Sequence, residues 1–305
     1  MSSQEDRITL FTVCDNHFAV LLAALLKSVD LNHESNELID FYIVADNLTQ
    51  KNRANLGKCV NPERIKILWI DIDDIIQDKS KLPLDGSSFP LIVYIRLFFP
   101  LFIPDNTRRV IYLDVDMIVR KDISLLWNTD LQGRSIGAVM DRAELVSSPW
   151  GGILNYKELG INGNAKYFNS GLLLIDYQKW VEADTTRKII ECIGQNTKYA
   201  FFPDQYGLNV IFAERWLELD PAWNSFSLYD RPDPFIIHFI AVKPIFTSYN
   251  YVERYKTEFF AYLKQTPWAD FRPKSNYARL FKKLKNKLNK KLYQLKSSLF
   301  SPSRK

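Results

Sequence analysis

Short apolar runs alternating with longer stretches of helical spacing leave this chain few folds to choose from. Residues 8–14, 41–45, 65–70, 110–113, 136–140, 172–175 and 235–240 have the length and apolar character of strands. Between them, 17–31, 49–56, 91–99, 177–194 and 204–212 carry apolar residues at helical spacing. Such alternation predicts an α/β architecture, a central sheet with helices on its faces. Several strands are apolar at nearly every position, which predicts burial on both faces. The chain has 305 residues, 47% hydrophobic and 25% charged, so it can enclose a large core and is neither a disordered nor a multi-span membrane sequence.

The charge is divided unevenly. The formal net charge is +5, yet twelve of the 40 Lys and Arg lie in residues 271–305, which contain no Asp or Glu. That leaves 28 basic against 35 acidic residues in 1–270, an acidic body that would repel a phosphate backbone. Nucleic acid is therefore not the expected partner of the body. The sequence divides into a domain over 1–270 and a basic tail over 271–305. In the tail Leu280, Leu284, Leu288, Leu292, Leu295 and Leu299 form one stripe with Lys on the other positions. Residues 279–300 thus read as a basic amphipathic helix, suited to lying on an anionic membrane surface, although a helix packing its stripe on the body has the same pattern.

Three widely spaced cysteines, Cys14, Cys59 and Cys192, offer neither a disulfide framework nor a paired-thiol metal knuckle, and the natural setting is a reducing cytoplasm. The apolar stretch 18–26 follows Asp6 and Asp15 instead of a basic segment and is too short to span a bilayer, so it reads as a buried helix. The chain lacks a Gly-rich dinucleotide fingerprint, a P-loop and a G-x-S-x-G elbow, which removes the common nucleotide-binding and hydrolase signatures.

Chemistry concentrates in a few places. In Arg109-Val-Ile-Tyr-Leu-Asp114-Val-Asp116 an apolar strand ends in two carboxylates two residues apart. On an extended chain both point the same way, at the strand end where ligands of open α/β sheets bind, and hard oxygen donors suit Mg²⁺ or Mn²⁺. A second D-x-D, Asp71-Ile-Asp73, has the same form, and either one also fits a solvated loop start or a helix cap. Downstream, Tyr167-Phe-Asn169-Ser-Gly171 reads as a polar turn before a buried strand, its glycine permitting close approach to a ligand. Pro203-Asp204-Gln205 opens a helix. Finally, His238 stands on an apolar strand ahead of Lys243, where an imidazole would complete an oxygen and nitrogen ligand set and the lysine would neutralise a phosphate.

In this order these segments resemble glycosyltransferase family 8, the retaining family that includes bacterial lipooligosaccharide α-galactosyltransferases, over about residues 7 to 250. The resemblance implies a GT-A fold, a Rossmann-like nucleotide-diphospho-sugar transferase domain with a mixed central sheet, followed here by the basic amphipathic tail. It implies Mn²⁺ or Mg²⁺ held by Asp114, Asp116 and His238. It assigns Asp15, Asn16, Tyr94, Arg96, Asp114, Val115, Asn169 and Lys243 to the UDP-sugar donor. Asp141, Asp204 and Gln205 fall where the family contacts the transferred sugar and count as the catalytic candidates. The sequence departs from the family at Cys14, where many relatives carry an acidic residue, and at His17, where a tyrosine commonly stacks on uracil. In His238-Phe-Ile-Ala241-Val-Lys243-Pro the family's glycine and tryptophan are also missing.

The resemblance and the tail together lead to the expectation of a hexosyltransferase moving galactose or glucose from a UDP-hexose to an oligosaccharide or lipid-linked glycan, with the tail holding it to the inner face of the cytoplasmic membrane. Two other readings stay open at this level. One is a nucleotide-sugar binder without turnover, and the other a nucleic-acid binder acting through its tail.

Overall fold

The computed structural model describes residues 7–76, 82–83, 91–275 and 277. Strands β1 (Arg7–Asp15), β2 (Leu38–Asp46) and β3 (Ile65–Asp71) run parallel, linked by helices α1 (Ala19–Asn32) and α2 (Gln50–Gly57). After the short helix α3 (Ile72–Ile75) and a 3-10 helix at Leu91–Leu101 comes β4 (Arg109–Leu113), parallel to β1. The chain continues through β5 (Met117–Val119), α4 (Ser124–Trp127), β6 (Ile136–Leu145) and β7 (Lys166–Asp176). It then forms α5 (Tyr177–Glu182), α6 (Thr185–Gln195), α7 (Pro203–Ile211), β8 (Leu217–Glu218), β9 (Ser225–Phe226), β10 (Ile236–His238) and α8 (Glu253–Leu263).

A seven-stranded sheet has the order β3-β2-β1-β4-β7-β6-β8, and β7 runs antiparallel to both of its neighbours. The mixed sheet expected from the sequence is therefore present. A second sheet of three short strands, β5-β10-β9, lies beyond the end of β4. The alternation of side chains along β1 divides the interior into two cores. Ile8 and Leu10 join α1 and α8 on one face, while Phe11 meets Tyr94, Phe99 and Tyr112 on the other. The first eight residues of α1 are all apolar because they are covered on every side, with Leu21, Leu22, Leu25 and Leu26 fully buried. Each such leucine contributes roughly 1.5–3 kcal/mol relative to exposure.

Several elements differ from the sequence reading. The single helix expected over 177–194 is two, because Asp184 takes a left-handed conformation, φ 50°, between α5 and α6. The helix expected at 91–99 is a 3-10 helix with Pro100 inside it. Asn169, Ser170 and Gly171 do not form a turn: they belong to β7, which starts earlier than its apolar run. Between the pairs Ala138–Leu173 and Val139–Asn169 the β6–β7 register slips, and the excess residues bulge toward the end of β4. Strands β5, β8 and β9 are too short to leave a periodic signal. The tail stripe, Leu280 to Leu299, lies outside the described residues. The first tail residues pack on the body, since Phe246 pairs with Lys274 and the Thr247 amide donates to the Lys274 carbonyl at 2.9 Å.

Candidate active site

Between Leu113 and Met117 the chain leaves the large sheet and enters the small one, and Asp114, Val115 and Asp116 make that crossing. The Asp114 amide donates to the Gly171 carbonyl at 2.8 Å, adding a rung to the β4–β7 ladder. On the other side the Phe239 amide donates to the Asp116 carbonyl at 2.8 Å, and the β5–β10 register sets His238 opposite Met117. Backbone pairing thus brings all three side chains to one point. The carboxylates converge through a turn between two sheets instead of the extended strand that the i, i+2 spacing implied.

Asp114, Asp116 and His238 each offer a ligand atom within 4.8 Å of the others, and His238 Nε2 lies 3.4 Å from Asp116 Oδ1 and 3.6 Å from Asp114 Oδ2. Among the described residues this is the group of His, Cys, Asp or Glu side chains arranged to hold a metal. Two observations fit the set to a divalent ion such as Mn²⁺. His238 Nδ1 donates to Asn224 Oδ1 at 2.9 Å, which leaves the Nε2 lone pair facing the carboxylates. Gly171 forms one wall: a Cβ there would overlap the His238 ring, lie 2.8 Å from Asp114 Oδ2 and 2.9 Å from Asn169 Oδ1. The absence of a side chain leaves the ligand atoms an open space between them.

The charge around Asp116 is arranged to keep it ionised. Burial pushes the Asp116 carboxyl up, but the Lys243 ammonium, paired with it, outweighs burial and holds it well below the usual range. Arg96 is the hub of the other side. Its Nη2 lies 2.9 Å from Asp114 Oδ1, its Nε 3.2 Å from Asp204 Oδ2, and its Nη1 donates to the Ser170 carbonyl at 3.1 Å. The guanidinium also sits 4.4 Å over the Tyr112 ring, whose hydroxyl donates to Asp114 Oδ1 at 2.5 Å. Burial works against the cation, and Asp114 and the other anions more than compensate, so Arg96 is held protonated. Asp204 feels the opposite balance: burial raises its carboxyl, with Arg96 pulling the other way.

From Arg96 the network runs into the groups expected around a sugar. Asn169 Nδ2 donates to Asp141 Oδ2 at 2.7 Å. Gln205 Oε1 accepts the Ser170 amide at 3.0 Å, and Gln205 Nε2 reaches Asp141 Oδ2 at 3.4 Å. Asp204 and Gln205 are buried in the first turn of α7, which Pro203 opens. Arg96, Asp114, Asp141, Asn169, Asp204 and Gln205 are thus joined by hydrogen bonds and ion pairs, although they come from five separate segments.

The remaining candidates occupy other positions. Asp15 ends β1 and accepts the Phe18 amide at 3.0 Å. The exposed Asn16 beside it accepts the Thr49 amide at 3.0 Å and Asn52 Nδ2 at 2.8 Å, fastening the β1–α1 turn to α2. His17 faces Phe246, with 6.3 Å between ring centroids. Val115 packs against the core on the α1 side, and Tyr94 is wholly enclosed in the other core. The second D-x-D takes no part: Asp71 precedes α3 and pairs with Arg53. Asn224 escaped the sequence reading. Its Oδ1 accepts a hydrogen bond from His238 Nδ1 while its Nδ2 donates to Asn169 Oδ1 at 2.9 Å. Its one signal is a polar residue at the end of Asp220-Pro-Ala-Trp-Asn224, where only the fold shows that the amide is buried.

Comparison with known proteins gives the family and the fold. Residues 9–244 match the family model described as Glycosyl transferase family 8. General stress protein A of Bacillus subtilis is 26% identical over 87% of this chain and 96% of its own length. Lipopolysaccharide 1,2-glucosyltransferase of Escherichia coli K12 is 26% identical over 82% of this chain and 75% of its own. Among solved structures, the galactosyltransferase LgtC, determined with donor and acceptor sugar analogues, superimposes with a TM-score of 0.71 at 22% identity, covering 85% of this chain and 96% of that one. This likeness is one of fold. Other matching glycosyltransferases are longer, and the chain spans about half to two thirds of their length.

Proposed function

The chain belongs to glycosyl transferase family 8, and from that premise we propose that it moves a hexose, galactose or glucose, from a UDP-sugar to a glycan acceptor with retention at the anomeric carbon. The observation that carries this reading is the convergence of Asp114, Asp116 and His238 beside Arg96. Those three residues would hold Mn²⁺ or Mg²⁺, whose positive charge stabilises the diphosphate as it departs. Lys243 adds a second cation at the same end. In this reading Asp15 and Asn16, where β1 ends, would meet the nucleoside, and Asp141, Asn169, Asp204 and Gln205 would orient the sugar.

Neither candidate nucleophile is presented for attack. Asp204 is ion-paired with Arg96, and Gln205 is an amide whose oxygen accepts the Ser170 amide. This favours transfer on one face: the acceptor oxygen bonds to the anomeric carbon as the bond to the phosphate oxygen breaks, and the acceptor proton passes to that oxygen. Positive charge on the sugar ring is then met by the dipoles of Gln205 and Asn169.

For the acceptor we propose a bacterial cell-surface glycan of the lipooligosaccharide kind, assembled on the cytoplasmic face of the membrane. The basic tail supports this, because about 1 kcal/mol per Lys or Arg near an anionic surface adds up over residues 279–300. No helix among the described residues is long and apolar enough to cross a membrane, so attachment would be peripheral. Release of UDP from a panel of UDP-sugars, with Mn²⁺ and with EDTA, tests the proposal. Turnover of one hexose donor that is lost in EDTA and in Asp114→Asn is expected. UDP binding that ignores the metal would overturn the ligand assignment, and no UDP binding at all the donor.

A further inference from the structure

Trp150 stands out on the surface because more than half of it, 56%, is exposed although it is held firmly. The Arg142 guanidinium lies 4.6 Å from its ring centroid, and Phe202 meets it edge to face with centroids 5.9 Å apart. An exposed indole fixed in this way loses little freedom when something stacks on it.

Its position gives it meaning. Arg142 follows Asp141, and Phe202 stands two residues before Asp204, so the partners of the indole are chain neighbours of groups placed around the sugar. The turn that carries Trp150 is seated between the same two segments: a Cβ on Gly151 would lie 3.3 Å from the Ala143 methyl and 3.9 Å from the Phe202 ring. Gly151 takes φ 81°, and a Cβ on Gly152 would run into the carbonyls of Val146 and Ser148, so the turn is built around two glycines. Ala143, against which this turn is seated, donates its amide to Asp141 Oδ1 at 3.0 Å, so the aromatic face stands beside Asp141.

We propose that Trp150, backed by Arg142 and Phe202, is a platform on which a pyranose ring of the acceptor glycan stacks. A pyranose presents an apolar face of C–H groups with hydroxyls around its edge, and the indole face left open by Arg142 complements it. The inference rests on the glycosyltransferase reading of the site and adds to it the residue that meets the acceptor.

The test uses the full chain with Mn²⁺ and UDP, and methyl β-D-galactopyranoside and methyl β-D-glucopyranoside as probes. Saturation-transfer NMR reads contact with the ring protons, and calorimetry reads UDP affinity separately. Saturation of at least one glycoside is expected in the wild type, about threefold to tenfold weaker in Trp150→Ala and kept in Trp150→Phe, with UDP affinity the same in all three. Equal saturation in wild type and Trp150→Ala, or none in the wild type while UDP binds, would overturn the platform. Loss of Mn²⁺-dependent UDP binding in the wild type would instead overturn the reading of the donor site, so the two failures are distinguishable.

Discussion

Asn224 Oδ1 accepts the Nδ1 proton of His238 at 2.9 Å, and this bond decides which ring nitrogen faces Asp114 and Asp116. The same asparagine donates to Asn169, so one buried side chain ties His238 to Asn169. Asn224→Ala is expected to weaken Mn²⁺ binding about 10- to 100-fold. Asn224→Asp keeps an acceptor for Nδ1 but loses the donor to Asn169. It should restore Mn²⁺ affinity, read by electron paramagnetic resonance titration, while sugar transfer stays impaired.

Gly171→Ala should remove Mn²⁺-dependent UDP binding, because the added methyl occupies the space among His238, Asp114 and Asn169. Gly57→Ala is the control, since a Cβ there meets nothing within 4 Å. Paired calorimetric titrations of the two variants check this; a Gly171→Ala protein that binds UDP and Mn²⁺ normally would show that the ligand set lies elsewhere.

Asp122 provides a pH-dependent element of stability away from the site. Burial raises its carboxyl, but hydrogen bonds from the Ser124 and Ser35 amides and from His33 outweigh burial and hold it well below the usual carboxylate range. A carboxyl depressed in the folded state stabilises above its unfolded pKa of about 3.9 and loses that contribution as pH falls toward its folded value. Asp122→Asn should cost about 1–3 kcal/mol at pH 7 in urea unfolding. The gap from wild type should narrow as pH drops from about 5.

Ala241 adopts φ 61°, a left-handed conformation that costs a residue with a Cβ about 1–2 kcal/mol. Part of that is offset by the greater freedom of glycine in the unfolded chain. Ala241→Gly should therefore stabilise the protein by up to about 1 kcal/mol, seen as a higher thermal midpoint. No rise would mean that neighbouring contacts already balance the strain.

Truncation of the tail is best made after residue 277, because Lys274 pairs with Phe246 and a cut at 271 would disturb the body. The shortened protein is expected to keep UDP binding and to lose binding to vesicles containing anionic lipid, with sedimentation as the readout. Vesicle binding equal to that of the full chain would remove the tail from membrane attachment.

The sequence disclosed the large sheet best, because buried parallel strands such as β1 and β2 are apolar along their whole length. It also disclosed the group that could hold a metal, since the paired carboxylates Asp114 and Asp116 close the apolar run of β4 and His238 is the single histidine on an apolar strand. Contacts made across the fold were harder to see. The Asn169–Gly171 segment resembled a turn because its bulge exists only against β6, and Asn224 carries no local pattern. Tyr94, assigned to the donor by the resemblance, is enclosed in a core, where an aromatic residue has the same appearance in sequence whether it packs or binds.

His238 comes from β10, far along the chain from the two carboxylates, and it meets them only when β10 has paired with β5. A nascent chain that has emerged as far as β7 already owns both aspartates and the arginine beside them, yet it lacks the imidazole. The full set of three side chains is therefore assembled late in synthesis, and a shortened or misassembled copy would lack it.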